Sequence, residues 1–380
     1  MPSLRDALEA ALVENPDDLA THFAYADYLQ EQGDPRGEFI QVQLAQEDPQ
    51  RTEKERRILQ ARAKDLLREH QREWLGILAD ELFPSNDELV EAWPSPIHRP
   101  YEHQFARGWL DSLVLRETPD YGYRIELGPL LCLAPEVRLL RKLVIDYDNG
   151  LVEMLLASPF LLNLRVLQVG RAMSSFHGIS PVVGSPHLAE FIAKLPRIEE
   201  LRLFAQSFDV RILFSLDNLT SLRILQVYYQ VERHPLEALA ANSSLHNLTH
   251  LLLSPYGPCI DLTGVRAVVN SQHLRSLTHL QLHRSDLGDV GCTEIVTSGI
   301  LKRLKVLDLR HGEITDAGAR ILADCPDLRR LELLDIERNA LTQSGIDALR
   351  RMLGPALRGD NQQTEEESAQ RQYLFEDEFA

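Results

Sequence analysis

The chain repeats a short aliphatic pattern, L-x-x-L-x-L, and in its last third the repeat is regular enough to lay out without gaps. Leu277, Leu304 and Leu331 correspond at a 27-residue period, as do Leu280, Leu307 and Leu334, and then Leu282, Leu309 and Ile336. Further into each unit the period also aligns Leu287, Ile314 and Leu341, then Gly291, Gly318 and Gly345, then Ile295, Leu322 and Leu349. The same core begins upstream at Leu110, Leu140, Leu164, Ile198, Leu222 and Leu248, at intervals of 30, 24, 34, 24, 26 and then 29 residues up to Leu277. A fixed period of this length marks stacked structural units.

Alternating apolar positions in L-x-x-L-x-L predict a strand with one buried face. The segment that follows, such as Asp316–Ala323, places apolar residues at helical spacing and predicts a helix with one buried stripe. One unit alone cannot cover either surface, so units must stack and share a core. Nine parallel strands are therefore expected. Helices are wider than strands, so the stack should bend into an arc with strands on the concave side and helices on the convex side.

These triplets and the following aliphatic and glycine positions resemble the leucine-rich repeat family in its longer, ribonuclease-inhibitor-like form, over residues 105–356. The fold class expected is α/β: a solenoid of about nine units, parallel strands concave and helices convex, preceded by a small all-α domain. The resemblance also implies an Asn three residues after the last strand leucine. Here Ser285, Gly312 and Asn339 hold that place, and upstream Thr118, Ala172, Gln206 and Gln230. Only Asn339 conforms, so irregular turns are expected in the first six units.

Residues 1–83 read as helices. Ser3 and Asp6 form a capping box, after which Leu4, Leu8, Ala11 and Leu12 share a face. A second helix, about Asp18 to Gln32, puts Leu19, Phe23, Ala26 and Leu29 on a stripe, with Gly33 as its C-cap. A third carries Phe39, Ile40, Gln43 and Leu44. A long charged helix from Thr52 to Leu78 turns Leu59, Ala63, Leu66, His70 and Trp74 inward. The run Tyr25-Ala26-Asp27-Tyr28-Leu29, then Gly33-Asp34 and Glu38-Phe39-Ile40-Gln41, resembles a small bacterial module, the repeat-companion domain, which precedes leucine-rich repeats. Tyr28 stands where that module usually has Trp. Phe105-Ala106-Arg107-Gly108-Trp109 is similar to the way such modules lead into their repeats. Residues 84–104, with Pro84, Pro94, Pro96 and Pro100, read as a Pro-rich connection. Residues 357–380 read as an acidic, disordered tail in which Tyr373, Leu374, Phe375 and Phe379 interrupt the charge.

The net charge is −17, unevenly spread. Residues 1–90 carry 10 basic and 20 acidic side chains, residues 91–363 carry 29 and 31, and residues 364–380 carry 1 and 6. No strongly basic segment offers a phosphate-binding face, which argues against a nucleic-acid partner. No apolar run approaches the ~18–20 residues of a membrane helix, and Met1 to Leu12 lacks the apolar core of a signal peptide. No membrane association and a cytoplasmic location are expected. Cys132, Cys259, Cys292 and Cys325 form no C-x-x-C pair and are expected to be buried thiols.

The sequence holds no phosphate loop, nucleophile elbow or zincin motif. It is not read as an enzyme, and no catalytic, cofactor-binding or metal-binding residue is assigned. Glu199-Glu200 sits in a strand, where neighbouring side chains point to opposite faces, so the pair cannot act on one atom. His250 and His279 occupy equivalent places in L-T-H-L and should lie side by side on adjacent strands. A metal or acid–base pair is one reading; exposed polar residues in a degenerate repeat is the one adopted. The outward positions include eight basic residues (Arg116, Arg141, Lys142, Arg165, Arg202, Arg223, Lys305 and Arg310) and eight acidic ones (Asp111, Asp146, Glu199, Glu200, Asp308, Glu332, Asp335 and Glu337). A neutral, mixed face suits a protein or peptide partner. Hot spots favour Arg and aromatics near an interface centre, so the candidate partner-binding residues are Arg202, Phe204, Arg223, Tyr228, His250, His279 and His283. The leading functional class is a protein-interaction scaffold. The alternatives are a structural or redundant paralogue whose N-terminal module only caps the array, and an F-box-like adaptor, whose Leu-Pro opening is absent from residues 1–45.

Overall fold

In a computed structural model of the chain, the described residues are 3–82, 101–116, 127–146, 150–170, 186–204, 208–230, 234–256 and 260–363. Cys259, Thr118, Ala172 and Gln206, most of the Pro-rich connection and the tail from residue 364 lie outside them. The chain divides into two compact units, Met1–Leu167 and Gln168–Ala380.

The first unit opens with helices α1 (Leu4–Glu14), α2 (Leu19–Glu31), α3 (Pro35–Glu47), α4 (Glu53–Trp74) and a short α5 (Ala79–Leu82). The Ser3/Asp6 capping box forms as expected, and Thr52 and Glu55 make a second one at α4. Gly33 takes φ 73°, and Asp34 N–H donates to Leu29 O at 2.9 Å, closing α2 through a left-handed residue that glycine adopts without strain. The buried stripes differ from expectation. Leu4, Leu19 and Phe23 are exposed, and α2 buries His22, Tyr25, Ala26 and Leu29 instead. The reason is tertiary: α2 is covered by strand residues as well as by its helical neighbours, and its core includes Trp109 and Leu139.

Strands β1 (Tyr101–Ala106) and β2 (Trp109–Leu115) form an antiparallel hairpin, and β2 pairs in parallel with β3 (Lys142–Ile145). The 101–104 stretch, read as part of the Pro-rich connection, thus belongs to a strand. The motif residues of the helices hold the Arg107-Gly108 turn of this hairpin. Tyr25 stacks on Trp109 with ring centroids 5.6 Å apart and donates its hydroxyl to Glu9 at 2.7 Å. The Arg36 guanidinium lies 4.5 Å over the Trp109 ring, and its Nε donates to Gly108 O at 2.8 Å. Gln43 accepts from Gly108 N–H at 2.7 Å and donates to Phe105 O at 2.9 Å. Arg107 forks onto Glu47. Gly108 has φ 79°, and a Cβ there would stand 2.2 Å from Ile40 Cγ1, so the turn needs glycine both for its backbone and for its clearance. Helix α6 (Leu127–Leu133), helix α7 (Leu151–Leu155) and the start of β4 (Val166–Val169) complete this unit.

The second unit alternates strand and helix: β5 (Glu200–Phe204), β6 (Ile224–Gln230), β7 (His250–Tyr256), β8 (His279–Leu282), β9 (Val306–Asp308), β10 (Leu333–Asp335) and β11 (Leu357–Arg358), paired in that order and all in parallel. Helix α8 (Leu188–Ala193) precedes β5. Helices α9 (Val210–Phe214), α10 (Leu236–Ala241), α11 (Leu262–Val269), α12 (Gly288–Ser298), α13 (Asp316–Ala323) and α14 (Gln343–Leu353) follow β5 to β10 in turn. Strands therefore stand at all nine expected positions, β2 to β10. In this unit each begins two residues after the first aliphatic residue of its triplet, and Leu222, Leu248 and Leu331 are each the C-cap of a short 3-10 turn that runs into the strand. The register stacks Leu201, Leu225, Leu251, Leu280, Leu307 and Leu334 in one buried column, none more than 1% exposed.

Hydrogen bonds between units at the same 27-residue period lock the last turns and helices. Asn339 is 2% exposed. Its Oδ1 accepts from Gly312 N–H at 2.9 Å and Ile314 N–H at 3.0 Å, and its Nδ2 donates to Leu309 O and Ile336 O, both at 3.0 Å. On the helix side, Asp289 Oδ1 accepts from Thr315 and Gly318 N–H and its Oδ2 from the Thr315 hydroxyl, and Asp316 receives Thr342 in the same way one unit later. A Cβ at Gly318 or Gly345 would lie 2.4 Å from the Asp289 or Asp316 carboxylate, which explains the recurring glycine. Cys292 and Cys325 are buried thiols, and burial pushes Cys292 well above its ordinary range. Cys132 is only half-buried, its Sγ 3.0 Å from Met154 O, because it lies near the end of a short helix.

Candidate binding face

In the second unit, the side chains that alternate with the leucines face away from the helix layer in three registered rows. The first row runs Glu200, Ile224, His250, His279, Val306, Leu333, and the second Arg202, Gln226, Leu252, Gln281, Asp308, Asp335. The third begins with Phe204, Tyr228 and Ser254. Sequence reasoning on charge alone missed the apolar members Ile224, Leu252, Val306 and Leu333, although the L-x-x-L-x-L register places each in an outward slot. All four are partly exposed.

The centre of the face holds the expected histidine pair. His250 and His279 are register partners, and their rings stack with centroids 3.8 Å apart and planes 15° from parallel. Each ring is held by the threonine before it: Thr249 Oγ1 lies 2.8 Å from His250 Nδ1, and Thr278 Oγ1 lies 2.9 Å from His279 Nδ1. The Thr249 hydroxyl donates to Arg223 O at 3.0 Å and that of Thr278 to Thr249 O at 3.2 Å. The carbonyls of Arg223 and Thr249 also accept the N–H groups of Thr249 and His250 and of Thr278 and His279 respectively, so each hydroxyl can either accept from Nδ1–H, which leaves the lone pair on Nε2, or donate to Nδ1. Partial burial lowers both imidazole pKa values; His279 and Arg202 add to this at His250 and Lys305 at His279, while Glu200 and Glu332 oppose it.

Arg223 is exposed, and Tyr228 and Arg202 are partly exposed, with Arg202 donating to Gln226 at 3.2 Å and to Glu200 at 3.4 Å. Two expected surface residues are not at the surface. Phe204 is 7% exposed, buried at the end of β5, where its carbonyl would sit 2.4 Å from a Cβ on Gly170. His283 is 1% exposed, with Nε2 2.8 Å from Asp308 Oδ2 and Nδ1 3.1 Å from Gln281 Nε2. Gln281 also donates to Ser254 at 3.0 Å. The deciding partner for His283 is the neighbouring strand's carboxylate, which alternation within one strand cannot reveal.

The charged outward positions toward the C-terminal end close on themselves. Asp308 and Asp335 are 8% and 4% exposed, not solvated as expected. Arg310 covers them, 2.9 Å from Asp308 and 3.7 Å from Asp335, and Arg358 lies 3.9 Å from Asp335. Burial raises the Asp308 pKa, but His283 and Arg310 outweigh it and hold the carboxyl well below its usual range. Asp335 is raised by burial and by the Asp308 charge. Beside them, burial and the charge of His283, Arg338, Arg284 and Arg310 push His311 down to about 3. Lys305 pairs with Glu332 at 2.9 Å. In the first unit, outward Arg116 forks onto Glu102, Arg141 pairs with Asp111, and Arg165 with Asp17.

No family model matches the sequence, and no curated protein sequence matches it. Solved structures do. A Bacteroides fragilis protein aligns at TM-score 0.46 and 16% identity, over 63% of this chain and 71% of its own. An internalin from Listeria monocytogenes aligns at TM-score 0.34 and 14% identity, over 75% and 97%. A leucine-rich-repeat protein from Leptospira interrogans aligns at TM-score 0.29 and 14% identity, over 75% and 95%. Registered parallel strands, each of β5 to β10 followed by a helix, a 27-residue period over the last units and the Asn339 turn give the second unit a leucine-rich-repeat fold.

Proposed function

We infer that this chain is a protein-interaction scaffold that docks a protein or peptide partner on its strand face between β5 and β8. One observation carries the reading. The outward carboxylates of β9 and β10, Asp308 and Asp335, are consumed by the network that they form with His283 and Arg310. Arg223 at the start of β6 stays exposed, and Tyr228, His250 and His279 stay partly exposed among Ile224 and Leu252. Arginine and aromatic side chains on a partly apolar ground are what interface centres favour. Purified protein used as bait should capture a partner that an Arg223→Ala/Tyr228→Ala variant retains at least about tenfold less tightly, about 1.4 kcal/mol, with thermal stability nearly unchanged. Full-strength binding by the double variant would overturn the reading.

A second reading concerns the N-terminal helices, which resemble the repeat-companion module. Tyr25, Arg36, Ile40 and Gln43 are spent on the Phe105–Trp109 turn of their own unit. This favours a capping role, since an open first strand needs cover.

A further inference from the structure

We propose that His250 and His279 form a two-imidazole site for a borderline divalent transition ion such as Zn2+ or Cu2+. The argument is geometric and stands whether or not a protein docks on this face. A histidine ligand needs its lone pair on one ring nitrogen and its N–H anchored at the other, and that anchor fixes tautomer and orientation. Both rings can take this arrangement, built twice at one register step by the two L-T-H-L segments: Thr249 or Thr278 Oγ1 engages Nδ1, and in the tautomer in which Nδ1–H donates to it the threonine hydrogen goes to a backbone carbonyl. In that tautomer the two Nε2 lone pairs belong to neighbouring rings whose centroids are 3.8 Å apart. Metal–nitrogen bonds of about 2.0–2.1 Å in tetrahedral geometry place two ligating nitrogens about 3.3 Å apart. The rings need only tilt out of parallel for their lone pairs to converge on one ion. The fixed charges nearby largely cancel, since Arg202 lies 3.4 Å from Glu200 and Lys305 2.9 Å from Glu332.

Among the described residues no group of three or more His, Cys, Asp or Glu side chains is placed to hold a metal. The pair therefore supplies two donors and water the remainder, which makes the site open and exchangeable, with positions left for an external carboxylate or imidazole. Imidazole donors select Zn2+, Cu2+ or Ni2+ over Mg2+ or Ca2+.

The test uses the full-length protein, titrated calorimetrically with ZnCl2, alongside electron paramagnetic resonance of the Cu2+ form. The expected result is one saturable site that loses at least about tenfold in affinity in His250→Gln and in His279→Gln. Thr278→Val, which removes the hydroxyl that engages Nδ1 together with its bond to Thr249 O, should weaken it by about 10–100-fold. The Cu2+ spectrum should show coupling to two imidazole nitrogens, a readout that does not depend on any variant folding. Absence of saturable binding, full affinity in the His250→Gln/His279→Gln double variant, or a spectrum with fewer than two coupled nitrogens would each overturn the proposal.

Discussion

Replacing Asn339 with alanine should destabilise the C-terminal repeats by an amount that follows from its hydrogen bonds. The side chain is 2% exposed and is the acceptor for Gly312 N–H at 2.9 Å and Ile314 N–H at 3.0 Å. Both amides sit in the turn of the preceding unit, and water cannot reach them while the turn is closed. An unsatisfied buried donor costs about 1–3 kcal/mol, so the two amides together give about 2–6 kcal/mol. The Nδ2 bond to Leu309 O at 3.0 Å is lost as well. The isosteric Asn339→Asp should be no milder, because it keeps the acceptor but sets a carboxylate against the carbonyls of Leu309, Ile336 and Glu337. Urea unfolding measures the total. Repeat arrays can open locally, so amide hydrogen exchange at Gly312 and Ile314 should be read in parallel and should accelerate in the variant. A loss below about 1 kcal/mol, with both amides still protected, would refute the claim that this one side chain closes the turn.

Three further outcomes are expected. Leu307 is fully buried between its register partners Leu280 and Leu334, so Leu307→Ala should cost about 2–5 kcal/mol in denaturant melts. Arg320→Ala, on the exposed side of α13, should cost almost nothing. His311 titrates at about 3 in the folded chain, below the roughly 6.5 of an unfolded histidine. The folded state therefore binds its proton less readily, and the contribution is intact above pH ~6.5 and lost progressively as pH falls to about 3. His311→Gln should flatten stability against pH in that window by up to about 1.4 kcal/mol per pH unit; identical slopes would show that His311 is not held neutral.

The period and the leucine columns were legible in the residues themselves. A one-sided strand and a one-striped helix permit few arrangements other than stacking, so Leu277 to Leu349 announce their own burial. The histidine pair was legible for the same reason, since equal positions in adjacent repeats must become neighbours. The lone Asn339 was visible too, because an amide offers two N–H donors and a carbonyl acceptor and so can bond several groups of a turn backbone at once. What the sequence left undecided is everything set by a partner distant along the chain. Alternation marks Asp308, Asp335 and His283 as outward, yet His283, at the end of the neighbouring strand, reaches Asp308, Arg310 bridges Asp308 and the neighbouring strand's Asp335, and the network closes over itself. Helical spacing puts Leu19 and Phe23 on a stripe with Ala26 and Leu29, yet α2 buries the face carrying His22 and Tyr25, because Trp109, 84 residues after Tyr25, stacks there. Local periodicity determines which side chains can share a face. Which face is covered, and which outward charge finds a counter-charge, depends on surfaces that meet only when the chain has folded.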